Sequence, residues 1–186
     1  MLIGVLLLFC IASVPLAGGR LSALSDLRLR AQPLLLAGIG LQILIVSIVP
    51  GGSARLHAGA HVLSYALVAG FVVANRGIPF IWAIALGGSL NFIAIVVNHG
   101  VMPADPGALA TAGIVQNAAE FSNSTTLASP RLLPLGDVFA VPASWPASNV
   151  FSIGDVLIVT GAWLCLHSVC GSRLALRWRG RGPTPT

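Results

Sequence analysis

Long apolar runs separated by short polar stretches dominate this chain. They show neither the two-residue alternation of half-buried strands nor a narrow helical stripe. Charges punctuate the runs. None occurs before Arg20, between Arg30 and Arg55, between Arg55 and Arg76, between Arg76 and Asp105, or between Asp155 and Arg173. Each gap holds about 17–20 mainly apolar residues, enough to cross roughly 30 Å of hydrocarbon at 1.5 Å per residue. The pattern predicts five transmembrane helices, Leu2–Gly18, Pro33–Val49, Ala58–Ala74, Ile78–Val97 and Ile153–Cys170. Helices are the expected form, because a chain in lipid must satisfy its own backbone hydrogen bonds and barrel alternation is missing. The expected fold is therefore all-α, an integral membrane bundle of five helices with one long outer loop, 98–152. Residues 1–172 make one membrane domain and 173–186 a basic cytoplasmic tail.

Composition agrees. Of 186 residues, 56% are hydrophobic and 8% charged, against about 25% charged in an ordinary soluble domain. Too few charges remain to coat a soluble globule, which excludes a cytosolic enzyme, a nucleic-acid partner and a disordered regulator. The lipid bilayer is the expected surrounding. All ten basic residues are Arg. With five spans, Arg20, Arg28, Arg30, Arg76, Arg173, Arg177, Arg179 and Arg181 share one side, leaving Arg55 and Arg131 opposite. The positive-inside bias then puts the N-terminus outside and the C-terminus in the cytoplasm of a bacterial inner membrane. The first run could be read as a signal peptide, but it lacks a basic n-region and exceeds a typical h-region, so it is expected to be a retained helix. Cys10, Cys165 and Cys170 lack zinc-ligand spacing and read as small packing residues, and His167 reads as interfacial.

Chemistry concentrates in and beside the loop. Asp105, Glu120 and Asp137 lie within it and Asp155 just beyond, four of the five acids in the chain. A loop of that length is a functional candidate, and its apolar patches suggest that it lies on the membrane surface. Asp155 stands three residues into the last helix, where Ser152-Ile153-Gly154-Asp155 matches a capping box. Asn91 is expected at a similar depth in the fourth helix, with Asn98 on the same face. Asp137 is a second carboxylate, and the segment Ala140–Phe151 is long enough to fold back and bring it to Asp155. Two carboxylates in a partly dry site hold different protonation states, as an aspartyl mechanism requires. A rival grouping is His57 and His61, four apart, with His99 and one of the two Asp residues around zinc. It lacks a tight ligand motif, and no metal or cofactor is expected. Asn123-Ser124-Thr125 matches a glycosylation sequon, which carries little weight in a bacterial chain.

Two resemblances follow. Asn98-His99-Gly100-Val101-Met102-Pro103, Leu135-Gly136-Asp137 and Phe151-Ser152-Ile153-Gly154-Asp155 together resemble a domain-of-unknown-function family of small bacterial polytopic membrane proteins. That likeness implies membrane location alone. Leu86-Gly87-Gly88-Ser89-Leu90-Asn91, Gly136-Asp137-Val138-Phe139 and Phe151–Ile158 are similar to segments of lipoprotein signal peptidase (signal peptidase II). This second likeness implies an aspartyl membrane hydrolase acting on a membrane-embedded lipoprotein or peptide. Asp137 and Asp155 would be its catalytic pair and Asn91, Asn98 and Ser152 its supporting residues. The alternative is a non-catalytic membrane protein, either an assembly partner or a small transporter.

Overall fold

A computed structural model describes residues 2–45, 54–116 and 124–175. The chain is mostly helical. Its helices are α1 (Leu2–Leu16), α2 (Gln32–Ile43), α3 (Ala54–Ala74), α4 (Ile81–Val97), α5 (Pro106–Ala112) and α6 (Ile153–Val169). Four short strands join them, β1 (Met102–Pro103), β2 (Ser124–Thr125), β3 (Phe139–Val141) and β4 (Asn149–Phe151). The strands correct the all-α expectation. The five predicted long helices all occur, displaced by a few residues at their ends. The end of the second predicted helix (46–49), most of the following connection, Glu120, Asn123 and the tail beyond 175 lie outside the described residues.

Helix ends follow local chemistry. Pro33 sits in the first turn of α2, where its missing N–H costs nothing. Asp105 caps α5, its Oδ2 accepting from Ala108 N at 2.8 Å. Ser152 and Asp155 form a complete capping box at α6. Asp155 N donates to Ser152 Oγ and Ser152 N to Asp155 Oδ2, both at 3.0 Å.

α4 and α6 share the most extensive helix contact, α2 and α3 pair closely, and α1 lies against α6. Small residues make the α4–α6 approach possible. A Cβ at Gly154 would collide with the Asn91 carboxamide and stand 2.7 Å from Gly87 O, and one at Gly161 would lie 2.8 Å from Ile84 N. Polar ties join the other pairs. Gln42 Nε2 donates to Ser64 Oγ at 3.0 Å between α2 and α3.

Between α1 and α6, Ser13 Oγ lies 3.0 Å from His167 Nε2 and accepts from Trp163 Nε1 at 3.2 Å. His167 Nδ1 meets Ser172 Oγ at 2.8 Å. His167 is 0% exposed. It is therefore a buried helix-to-helix connector and not the interfacial residue its position near the helix end implied.

Among the described residues, α3 alone contains a segment, Arg55–Ala74, of at least 18 residues apolar enough to cross a membrane. The other four long apolar helices fall short of that length. Only 17% of the most apolar window of α3 is buried inside the protein.

Candidate aspartyl site

The site is built where the loop returns to the end of α4 and the start of α6. Residues 102–105 run down its centre. On one side β1 pairs in parallel with β2, Met102 opposite Ser124 and Pro103 opposite Thr125. On the other, Ala104 bridges Asp137. Asp137 N donates to Pro103 O at 2.9 Å and Asp105 N to Asp137 O at 3.0 Å. Gly136 permits this approach, because a Cβ there would run into Pro103 O. The ladder fixes the Asp137 backbone and brings Ser124 to its side chain, where the Ser124 hydroxyl donates a short hydrogen bond to Asp137 Oδ2.

The next segment folds back as a hairpin. β3 and β4 pair antiparallel with Phe139 opposite Phe151, and the two rings stack at 5.4 Å. Asp137 stands two residues before the first phenylalanine and Asp155 four after the second. Thus the hairpin returns the chain to the start of α6 close to where it left Asp137.

Asp155 is held from two directions. Asn91 Nδ2 donates to its Oδ1 at 2.9 Å, while the Ser152 backbone N–H holds Oδ2. Ser152 Oγ donates to Asn91 Oδ1 at 2.8 Å. Asn91, Ser152 and Asp155 therefore close a ring of hydrogen bonds across the α4–α6 contact. Asn91 and Ser152 are buried at 3% and 0% exposure, while Asp155 is half-buried.

A residue the sequence reading did not single out completes the group. Tyr65 of α3 lies near Asn91, Asp155 and Asp137. Its ring packs edge-on against His61 at 5.6 Å and beside Phe92 at 5.9 Å. Ala94, Ile95 and Met102, with Val62, Tyr65 and Leu135 against them, form an apolar wall at this end of the molecule. Tyr65 is the single tyrosine of the chain. A lone phenol in an otherwise apolar helix, one turn after a histidine, was the available signal.

The two carboxyl groups have different surroundings. Asp137 is 5% exposed. Burial pushes its carboxyl up to about 6; the Ser124 hydrogen bond opposes the rise and the nearby Asp155 charge adds to it. Asp155 instead accepts an N–H donor at each oxygen, from Asn91 and from the Ser152 backbone.

The other expected residues are used differently. Asn98 pins the loop. Its Nδ2 donates to Ala94 O and Arg131 O, both at 2.7 Å, and its Oδ1 accepts from Arg131 N at 2.8 Å. It thus steadies the site from outside and touches neither carboxylate. His61 Nδ1 lies 2.9 Å from Gly100 O, His57 is buried, and His99 is exposed. Among the described residues no three His, Cys, Asp or Glu side chains gather as a metal site would require.

The chain is thus mostly helical, with Asp155 at the start of α6 tied to Asn91 of α4 and Asp137 held in the loop by Ser124. The chain belongs to DUF5317, a family of unknown function, whose model matches residues 26–167. The matched stretch takes in α2 to all but the end of α6 and the whole loop, and leaves α1 outside. No curated protein and no solved structure matches the chain.

Proposed function

We propose that this chain is a multi-pass membrane protein whose loop-side end is an aspartyl hydrolase site, with Asp137 and Asp155 as acid and base. Its substrate class is a membrane-embedded lipoprotein or peptide. The membrane reading is supported by the outward apolar surface. Leu36, Leu56, Leu63, Val73 and Trp82 are 53–71% exposed, and a soluble protein would hide such residues. The small-residue α4–α6 contact and the few buried polar ties are what helix association in lipid uses.

One observation supports the catalytic reading: Asp137 is a buried acid whose carboxyl is raised by burial and, further, by the charge of Asp155. Burial favours the protonated form of Asp137, which suits it to donate to a substrate carbonyl oxygen. Asp155, an acceptor at both oxygens, suits the base that takes a proton from the attacking water. A buried acid favoured in its protonated form beside a carboxylate acceptor is the arrangement acid–base hydrolysis needs. Asn91, which donates to Asp155 Oδ1, positions the base. The likeness to signal peptidase II adds the order of the three segments. The Asp-Arg pair that follows the asparagine in that family is missing here, Ala94 and Ile95 standing nearby, so substrate would be held by other residues.

A lipoprotein-processing assay on membranes tests the proposal, comparing wild type with Asp137→Asn and Asp155→Asn. The expected result is a loss of at least about 10²-fold in each, the scale of a removed acid–base group. Full processing by both variants would end the reading. One observation favours a second, non-catalytic role. The capping box at Ser152 and Asp155 is complete, so Asp155 already has structural work at the start of α6. Under that reading Asp155→Asn would lower stability, and neither variant would have processing activity to lose.

A further inference from the structure

At the opposite end of α3, the turn entering α2 and the turn leaving α3 enclose a cleft of about 660 Å³. Three arginines, Arg28, Arg30 and Arg76, are among the residues that line it, and no acidic residue is. None of the three has a hydrogen-bonded or ion-paired partner among the described residues, and all are exposed.

The frame beneath them is rigid. Asn75, 5% exposed, clasps the Arg30 backbone at both ends, accepting from Arg30 N and donating to Arg30 O, each at 2.8 Å. Its remaining amide hydrogen goes to Phe71 O at 2.8 Å. Asn75 is thus fully used in holding Arg30 in place, and the open donors of the cleft are the guanidiniums. Below the rim, Gly70, Val73, Ala74 and Ile78 give a low apolar wall. A Cβ at Gly70 would press on Leu34 Cδ1 at 3.1 Å, so the wall cannot thicken without moving α2.

Three arginines lining one cleft with no acidic residue among its lining favour an anion there. Arginine's planar fork matches phosphate oxygens better than a lone ammonium does. We propose that this cleft is a phosphate-binding site, taking a dianionic phosphate or phosphomonoester group between Arg28, Arg30 and Arg76. The group comes either as a free anion or as the head of a lipid whose chain lies along the Gly70–Ile78 wall. The site is remote from Asp137 and Asp155 and stands whether or not they are catalytic.

The test uses the full chain purified in a neutral detergent, with inorganic phosphate, phosphatidic acid in mixed micelles and phosphatidylcholine as probes. Affinity is read from the shift in melting temperature across each titration. Wild type is expected to respond to a phosphate-bearing anion and not to phosphatidylcholine. Phosphatidic acid binding at least tenfold tighter than inorganic phosphate identifies a lipid head; equal affinity identifies the free anion.

The triple variant Arg28→Gln, Arg30→Gln, Arg76→Gln should weaken binding at least tenfold, with Arg131→Gln unchanged. The triple Lys variant keeps the charge, and with it orientation and folding, while removing the forks, and should weaken binding several-fold. It carries the decision if the Gln variant does not accumulate. Wild-type affinity in either triple variant, or an equal response to phosphatidylcholine, overturns the assignment.

Discussion

At Asp137 a loop hydroxyl and a helix-start carboxylate act on one buried acid. Its folded carboxyl, at about 6, lies above its ordinary 3.8, so between those values the folded state holds more protons than the unfolded. Stability therefore falls as pH rises from about 4 to about 6 and stays lowered above it, by roughly 3 kcal/mol for a shift of this size. Asp137→Asn should remove that slope, and melting curves in detergent between pH 4 and 7.5 check it. The same group sets the expected pH profile of hydrolysis. A protonated Asp137 is required, so activity should decline as pH rises through about 6. Ser124→Ala deletes the bond that opposes the rise and should move this limb to higher pH. An unchanged limb in Ser124→Ala would detach Asp137 from the acid role. The sequence offered Asp137, Asp155, Asn91 and Ser152, because acids and amides stand out in apolar surroundings. Ser124 and Tyr65 were not legible as members. The first arrives through a parallel strand pair, the second through packing between helices far apart in sequence.

At the level of elements, the α4–α6 contact decides whether the site exists, since Asn91 comes from one helix and Ser152 and Asp155 from the other. Neighbouring glycines in α4 separate close packing from helix propensity. A Cβ at Gly87 would meet the Gly154 carbonyl and lie 2.9 Å from Ile158 N, whereas one at Gly88 meets nothing within 4 Å. Gly87→Ala should cost about 1–3 kcal/mol through overpacking. Gly88→Ala should instead gain up to about 1 kcal/mol, the helix preference for alanine. Thermal melts of the two variants should therefore move in opposite directions, and a shared direction would contradict the observed contact. Helix positions were readable from the charge gaps to within a few residues, because apolar runs bounded by Arg and Asp leave little choice. Loop 98–152 was less readable. Its strands have two or three residues each, too few for any alternation to show, and their pairing rests on backbone bonds that side-chain pattern does not encode.

For the whole molecule, the charge distribution and the proposed sites imply one orientation. The cleft of Arg28, Arg30 and Arg76 lies at one end of α3, and the two acids with Tyr65 lie toward the other. In the proposed membrane reading, the positive-inside bias would put the arginine excess in the cytoplasm, with Asp137 and Asp155 outside and the phosphate cleft inside. Helix lengths bear on how the chain sits. Arg55–Ala74 has 20 residues, about 30 Å at 1.5 Å per residue, whereas the 17 residues of α4 and of α6 reach about 25 Å. Helices that short fit a bilayer by local thinning or by interfacial residues at their ends, at a modest cost. Trp145, 66% exposed on the loop, would be such a group in the proposed membrane reading. Cysteine substitutions at Trp145 and Gly77, in a background with Cys10, Cys165 and Cys170 replaced by Ala, read the orientation directly. A membrane-impermeant maleimide applied to intact spheroplasts should label Trp145→Cys at once and Gly77→Cys only after permeabilisation. The reverse pattern would invert the molecule and put the acids in the cytoplasm. That would remove the basis for likening the site to an outward-facing lipoprotein peptidase, while the phosphate cleft would face the outer leaflet.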